Sequence, residues 1–96
     1  MKPSQALLEN RVAIRNIIES HCVMNARVFG SVAKGTDTDG SDLDILVDPT
    51  QETTLFDIGA IRYKLRTLLG VSVDVLTPDA LPEAFRAVVI AEAVPV

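Results

Sequence analysis

The sequence predicts a small α/β fold, a β-sheet with helices packed on one face, and three observations carry that prediction. Apolar residues recur at helical spacing in the first twenty or so residues and again from about Thr54 to Leu69. Short β-branched runs around Val28, Ile45 and Val73 alternate with them, the pattern of strands interleaved with helices. A length of 96 residues, 48% of them hydrophobic, fits one domain, residues 1–96, near the low end at which a single core suffices.

Ser4 is expected to cap a helix running to about Ser20 or Cys22, with Leu7, Leu8, Ile14, Ile17 and Ile18 as its apolar stripe. Strand one lies near Arg27 to Phe29, and Gly30-Ser31 turns it into a short helical piece. Gly35 to Ser41 reads as a loop, rich in Thr, Asp and Gly. Strand two covers about Leu43 to Val47 and ends at Pro49. A helix from about Thr54 to Leu69 presents Leu55, Ile58, Ile61, Leu65 and Leu68, and Gly70 suits its C-terminal cap. Strand three follows within Val71 to Leu76. Asp79 is the expected cap of a last helix, with Pro82 in its first turn and Phe85, Val88, Val89 and Ala93 facing inward.

The chemistry concentrates in two short runs, Val28-Phe29-Gly30-Ser31-Val32-Ala33-Lys34-Gly35 and Ser41-Asp42-Leu43-Asp44-Ile45-Leu46-Val47. Side chains alternate along a strand, so Asp42 and Asp44 share one face while Leu43, Ile45 and Val47 take the other. Adjacent carboxylates repel unless a cation or water lies between them, and hard divalent cations such as Mg2+ favour one or two carboxylates plus phosphate oxygens. Gly30 permits close approach or positive φ, and Ser31 at a helix start offers a hydroxyl and free N–H groups to an anion. Asp74, opposite the apolar face of Val71, Val73 and Val75, becomes a third ligand if its strand lies beside that of Asp44.

Gly30-Ser31, ten residues, then Asp42-x-Asp44 resembles the signature of the nucleotidyltransferase superfamily typified by DNA polymerase beta. The short chain, Phe29-Gly30-Ser31 and the later Val73-Asp74-Val75 resemble its minimal nucleotidyltransferase branch, often the antitoxin of a two-gene pair. The resemblance implies that family's mixed sheet, metal binding by Asp42, Asp44 and Asp74, and phosphate contacts at Gly30 and Ser31. Many members place arginine after the Gly-Ser pair and then a second basic residue, where this chain has Val32 and Lys34, so Lys34 is left as the cationic nucleotide contact. It further implies transfer of AMP from ATP, with two Mg2+ ions, to a hydroxyl, a tyrosine among the candidates, on a HEPN-type ribonuclease toxin. Two alternatives stand beside it: a module that neutralises its toxin by covering it, and a nucleotidyltransferase acting on a small hydroxylated molecule.

Composition narrows the partners. A net charge of -4 opposes direct nucleic-acid binding, which draws its affinity from Lys and Arg on phosphates. No apolar run approaches the ~20 residues of a membrane span and no secretory signal is recognisable, so a cytoplasmic protein is expected. The lone Cys22 reads as a small core residue and His21 as structural. Asp37 and Asp39 read as turn-forming loop residues, and Arg62, Lys64 and Arg66 as a solvated helix face, on which Arg62 and Arg66, four apart, can form a stripe that meets an acidic partner.

Overall fold

The computed structural model describes residues 1–96. In chain order the elements are α1 (Pro3–Glu9), α2 (Arg11–Glu19), β1 (Val23–Phe29), α3 (Gly30–Lys34), β2 (Leu43–Pro49), α4 (Leu55–Leu69), β3 (Val73–Leu76), a 3-10 turn (Pro78–Ala80), α5 (Glu83–Glu92) and β4 (Val94–Pro95). The sheet order is β3-β2-β1-β4, with β2 and β3 parallel and the other pairs antiparallel. The mixed sheet matches the expected fold class. α4 is the crossover that the parallel pair requires.

One face of the sheet carries the core. Ile14 and Ile18 of α2 and Ile61 and Leu65 of α4 are buried against Val28, Leu43, Ile45, Val47, Val73 and Val75. Each such side chain contributes about 1.5–3 kcal/mol on leaving water, enough to hold two amphipathic helices on a short sheet. Helix α4 follows its local signals closely. Thr54 Oγ1 accepts from Asp57 N at 3.3 Å, Asp57 Oδ2 accepts from Thr54 N at 2.9 Å, and Gly70 closes the other end at φ 68°.

Several local expectations are corrected. The single N-terminal helix is two, because Asn10 leaves helical geometry at φ -125° and its side chain donates to the Ala6 carbonyl at 3.0 Å. A short amide bonding its own neighbourhood competes with the helix ladder. Ser4 is not the cap. Lys2 occupies that position, and the Ser4 N–H donates 2.8 Å to Asp37 Oδ2 across 33 positions. Asp37 is therefore a buried anchor rather than a plain loop residue, and the Ser4 backbone hydrogen bond holds its carboxyl below the usual range. Leu8 and Leu55 lie outside the core, at 72% and 89% exposure. β1 begins at Val23, earlier than its apolar pattern implies, because Asn25 at φ 55° interrupts the register opposite β2.

Cys22 is exposed at φ 55°, not a core residue, and its carbonyl accepts from the hydroxyls of Thr50 and Thr53. His21 does sit in a structural contact, between Lys64 Nζ at 2.8 Å and Asp57 at 3.5 Å. Asp79 lies in the 3-10 turn, and α5 begins only after Pro82, which stands at its N-cap. The inward side of α5 is shared by half-buried Val89 and by Arg86, which donates to the carbonyls of Pro78 and Leu81. Phe85 and Val88 consequently face outward at 62% and 57% exposure. Val94 and Pro95 pair with β1 beyond α5, and Val96 is buried.

Candidate functional site

The parallel register of β2 and β3 sets Asp44 beside Asp74, and the antiparallel register sets Phe29 on the other side of Asp44. Asp42 stands just before β2 and is exposed. The carboxylate oxygens of Asp42, Asp44 and Asp74 all lie within 4.8 Å of one another. Three oxygen donors at that separation, with no nitrogen or sulfur donor among them, form a set for a hard divalent cation.

Electrostatics agrees with the donor chemistry. Burial and the neighbouring charges of Asp74 and Asp42 push the Asp44 carboxyl up to about 6. An ionised cluster of this kind is costly without a cation, so the residues present fit the metal that the family resemblance implies. The other polar pair on this side is structural. Arg27, buried beside Leu46, donates 3.1 Å to Asp48 and 2.6 Å to the Asn25 carbonyl, closing the bulge in β1.

Gly30 sits directly against Asp44. At φ 70° it occupies the left-handed region, and a Cβ built there would overlap Asp44 Oδ2. Both constraints demand glycine. Ser31 follows in the first turn of α3, which packs on β2, and exposed Lys34 closes the last turn before Gly35 at φ 72°. Gly30 and the carboxylates are thus brought together, while Lys34 stands at the opposite end of α3 from Gly30.

Two further neighbours of the site are set by tertiary packing. Arg62 and Arg66 are exposed, as expected of a solvated helix face, and their Nε atoms donate to the Val73 carbonyl at 3.2 and 3.3 Å, with Arg62 Nη2 3.8 Å from Asp74 Oδ1. Their spacing of four showed that they share a helix face, but only the packing of α4 on β3 shows which carbonyl they meet. The second is the 3-10 turn, which packs against β2, where Leu46 is fully buried on the aspartate side of the strand. That side is therefore open at the carboxylates and covered further along. No helix is long and apolar enough to cross a membrane.

Known proteins resemble this chain in sequence and in shape. A "Putative protein adenylyltransferase MJ0435" of Methanocaldococcus jannaschii is 36% identical over 80 residues, spanning 83% of this chain and 86% of that protein. A second from the same organism, MJ0126, is 30% identical over 67 residues, or 70% and 68% of the two chains. A solved "putative minimal nucleotidyltransferase" superposes with a TM-score of 0.86 at 36% identity, covering 97% of this chain and 95% of that one. A chain of a "toxin-antitoxin with AMP-PNP" shares the fold at a TM-score of 0.75 and 20% identity, covering 90% of this chain and 71% of that one. The nucleotidyltransferase domain model matches residues 12–96, from the second helix through the last strand, and the protein belongs to that family.

Proposed function

We propose that this protein transfers AMP from ATP to a hydroxyl, a tyrosine by preference, on a partner toxin of the HEPN ribonuclease type in the cytoplasm. The observation that carries the reading is the convergence of Asp42, Asp44 and Asp74 next to Gly30. In the transfer the acceptor oxygen bonds to the α-phosphorus, the bond from that phosphorus to the bridging oxygen breaks, and pyrophosphate leaves. Asp74, on the edge strand, takes the hydroxyl proton, and Asp42 and Asp44 hold Mg2+ with it. Mg2+ supplies neutralisation of the triphosphate charge, with two ions in the complete arrangement. Ser31 and Lys34 bind the phosphates. The protein adenylyltransferase names of the relatives support the donor and the protein acceptor.

A second reading is a module that neutralises its toxin by covering it. The apolar outer side of α5, with Phe85 and Val88 exposed, favours a lasting complex and is compatible with either reading. The separating experiment is label transfer from α-labelled ATP with Mg2+, using the chain, the product of the adjacent gene and an Asp42→Asn/Asp44→Asn control. Label on the partner that disappears in the control supports transfer. A stable complex with no label from any of the four nucleotides rejects transfer in favour of covering.

A further inference from the structure

A small cavity of about 240 Å³ lies between α3 and α5, lined by Phe29, Gly30, Ala33, Lys34, Val89 and Glu92. It shares Gly30 with the carboxylate site, so a ligand lodged here adjoins whatever occupies the three aspartates. Its volume falls below the roughly 300–1,000 Å³ that encloses a drug-sized molecule, which fits one ring system of a nucleotide rather than the whole. The lining is also uneven in a telling way. Phe29, Ala33 and Val89 offer apolar surface, one of them aromatic, for the flat face of a base.

Glu92 is the acidic group on the cavity wall, exposed and free to meet a ligand. It is the last residue of α5, where a negative charge opposes the helix dipole, and it makes neither a hydrogen bond nor an ion pair. Lys34 lines the same cavity, yet no ion pair forms between the two. Its carboxylate oxygens, bound to nothing in the protein, are available to a ligand lodged in the cavity. An ionised carboxylate only accepts hydrogen bonds, so it favours an amino group and repels a carbonyl oxygen at the same place.

We propose that this cavity takes the base of the nucleotide and that Glu92 selects bases presenting an exocyclic amino group. The proposal rests on the nucleotidyltransferase reading and adds to it the determinant of base choice. Lys34, on the same cavity, offsets the repulsion between Glu92 and the negative charge of the triphosphate. Two pairs of ligands exchange the amino group for a carbonyl: ATP against ITP in a purine, and CTP against UTP in a pyrimidine, each exchange also turning the adjacent ring nitrogen from acceptor to donor.

The test is calorimetric binding of these four triphosphates with Mg2+ to the full chain and to Glu92→Gln, whose amide both donates and accepts. Expected is binding of ATP over ITP and of CTP over UTP by about tenfold or more in the natural chain, as a charge-assisted hydrogen bond and its lost isostere imply. In Glu92→Gln both ratios fall to within about twofold, because the amide serves either group. Equal binding within each pair by the natural chain, or preferences unchanged in Glu92→Gln, overturns the proposal and leaves the nucleotidyltransferase reading standing. Binding of none of the four overturns both.

Discussion

Arg62 reaches round the edge of β3, its Nε on the Val73 carbonyl at 3.2 Å and its Nη2 3.8 Å from Asp74 Oδ1. One side chain thus covers an open strand carbonyl and places a positive charge beside the outermost carboxylate of the site. The charge opposes any cation arriving at Asp74. Arg62→Ala is expected to tighten Mn2+ binding about 2–5-fold, the range of a half-exposed ion pair. Titration of Mn2+ followed by its paramagnetic effect on water relaxation measures the change, and weaker binding would show that Arg62 helps to assemble the site instead.

Asp44 makes the cation-free protein pH-sensitive in an unusual direction. Its carboxyl titrates near 6 in the folded chain and near 4 when unfolded, so between those values the native state holds the extra proton. Stability is therefore greatest at the acid end of that window and falls as pH rises through about 6. Solvent reaches the group, so the loss is on the order of 1 kcal/mol rather than the full shift. Asp44→Asn should recover it at pH 7, with a flatter profile between pH 4.5 and 7 in urea melts. Asp37 and Asp57 run oppositely. Their lowered carboxyls support folding above the ordinary carboxylate range and lose that support in more acid solution, which is why the comparison stops at pH 4.5.

Gly30 and Gly35 form a matched pair for separating backbone strain from collision. Both have φ near 70°, but an added Cβ meets Asp44 Oδ2 at Gly30 and nothing within 4 Å at Gly35. Gly35→Ala should lose about 1–2 kcal/mol of stability while keeping Mn2+ affinity. Gly30→Ala should lose a similar amount and also weaken Mn2+ at least ~10-fold by displacing a ligand. Equal Mn2+ affinity in the two variants would remove Gly30 from the site.

A divalent cation should also act as a staple. At a concentration 100 times its dissociation constant it adds about 2.7 kcal/mol to folding, visible as several degrees in Tm. Asp42→Asn and Asp74→Asn should each remove most of that gain, measured by thermal melts with and without Mg2+. A rise in Tm that survives both substitutions would locate the cation elsewhere.

How much of this was legible in the sequence depended on how local each interaction is. The sharing of a face by Asp42 and Asp44 follows from strand alternation, and the bounds of α4 from Thr54, Asp57 and Gly70, all close in sequence. Asp74 could be nominated but not located, since nothing within residues 71–76 specifies which strand they join. Asp37 reads as a turn residue because its partner lies 33 positions away, and Arg62, exposed as expected, hides its contact because the carbonyl it covers belongs to another element. The inward side of α5 is legible only in part: Val89 and Ala93 are half-buried as expected, whereas Phe85 and Val88 are not. Periodicity identifies an apolar side, but Arg86 found carbonyls at Pro78 and Leu81 and took the inward place, leaving Phe85 and Val88 outside.

The pairing of Asp44 with Asp74 joins positions 30 residues apart through a parallel contact at the sheet's edge. A shift of that pairing by one residue would send Asp74 to the apolar side and bring Val73 or Val75 to the carboxylates. Misaligned chains would therefore present a broken set of ligands, whatever their compactness. A cation that recognises all three carboxylates can thus discriminate between registers as the chain folds, rewarding the correct alignment while leaving the slipped ones without support.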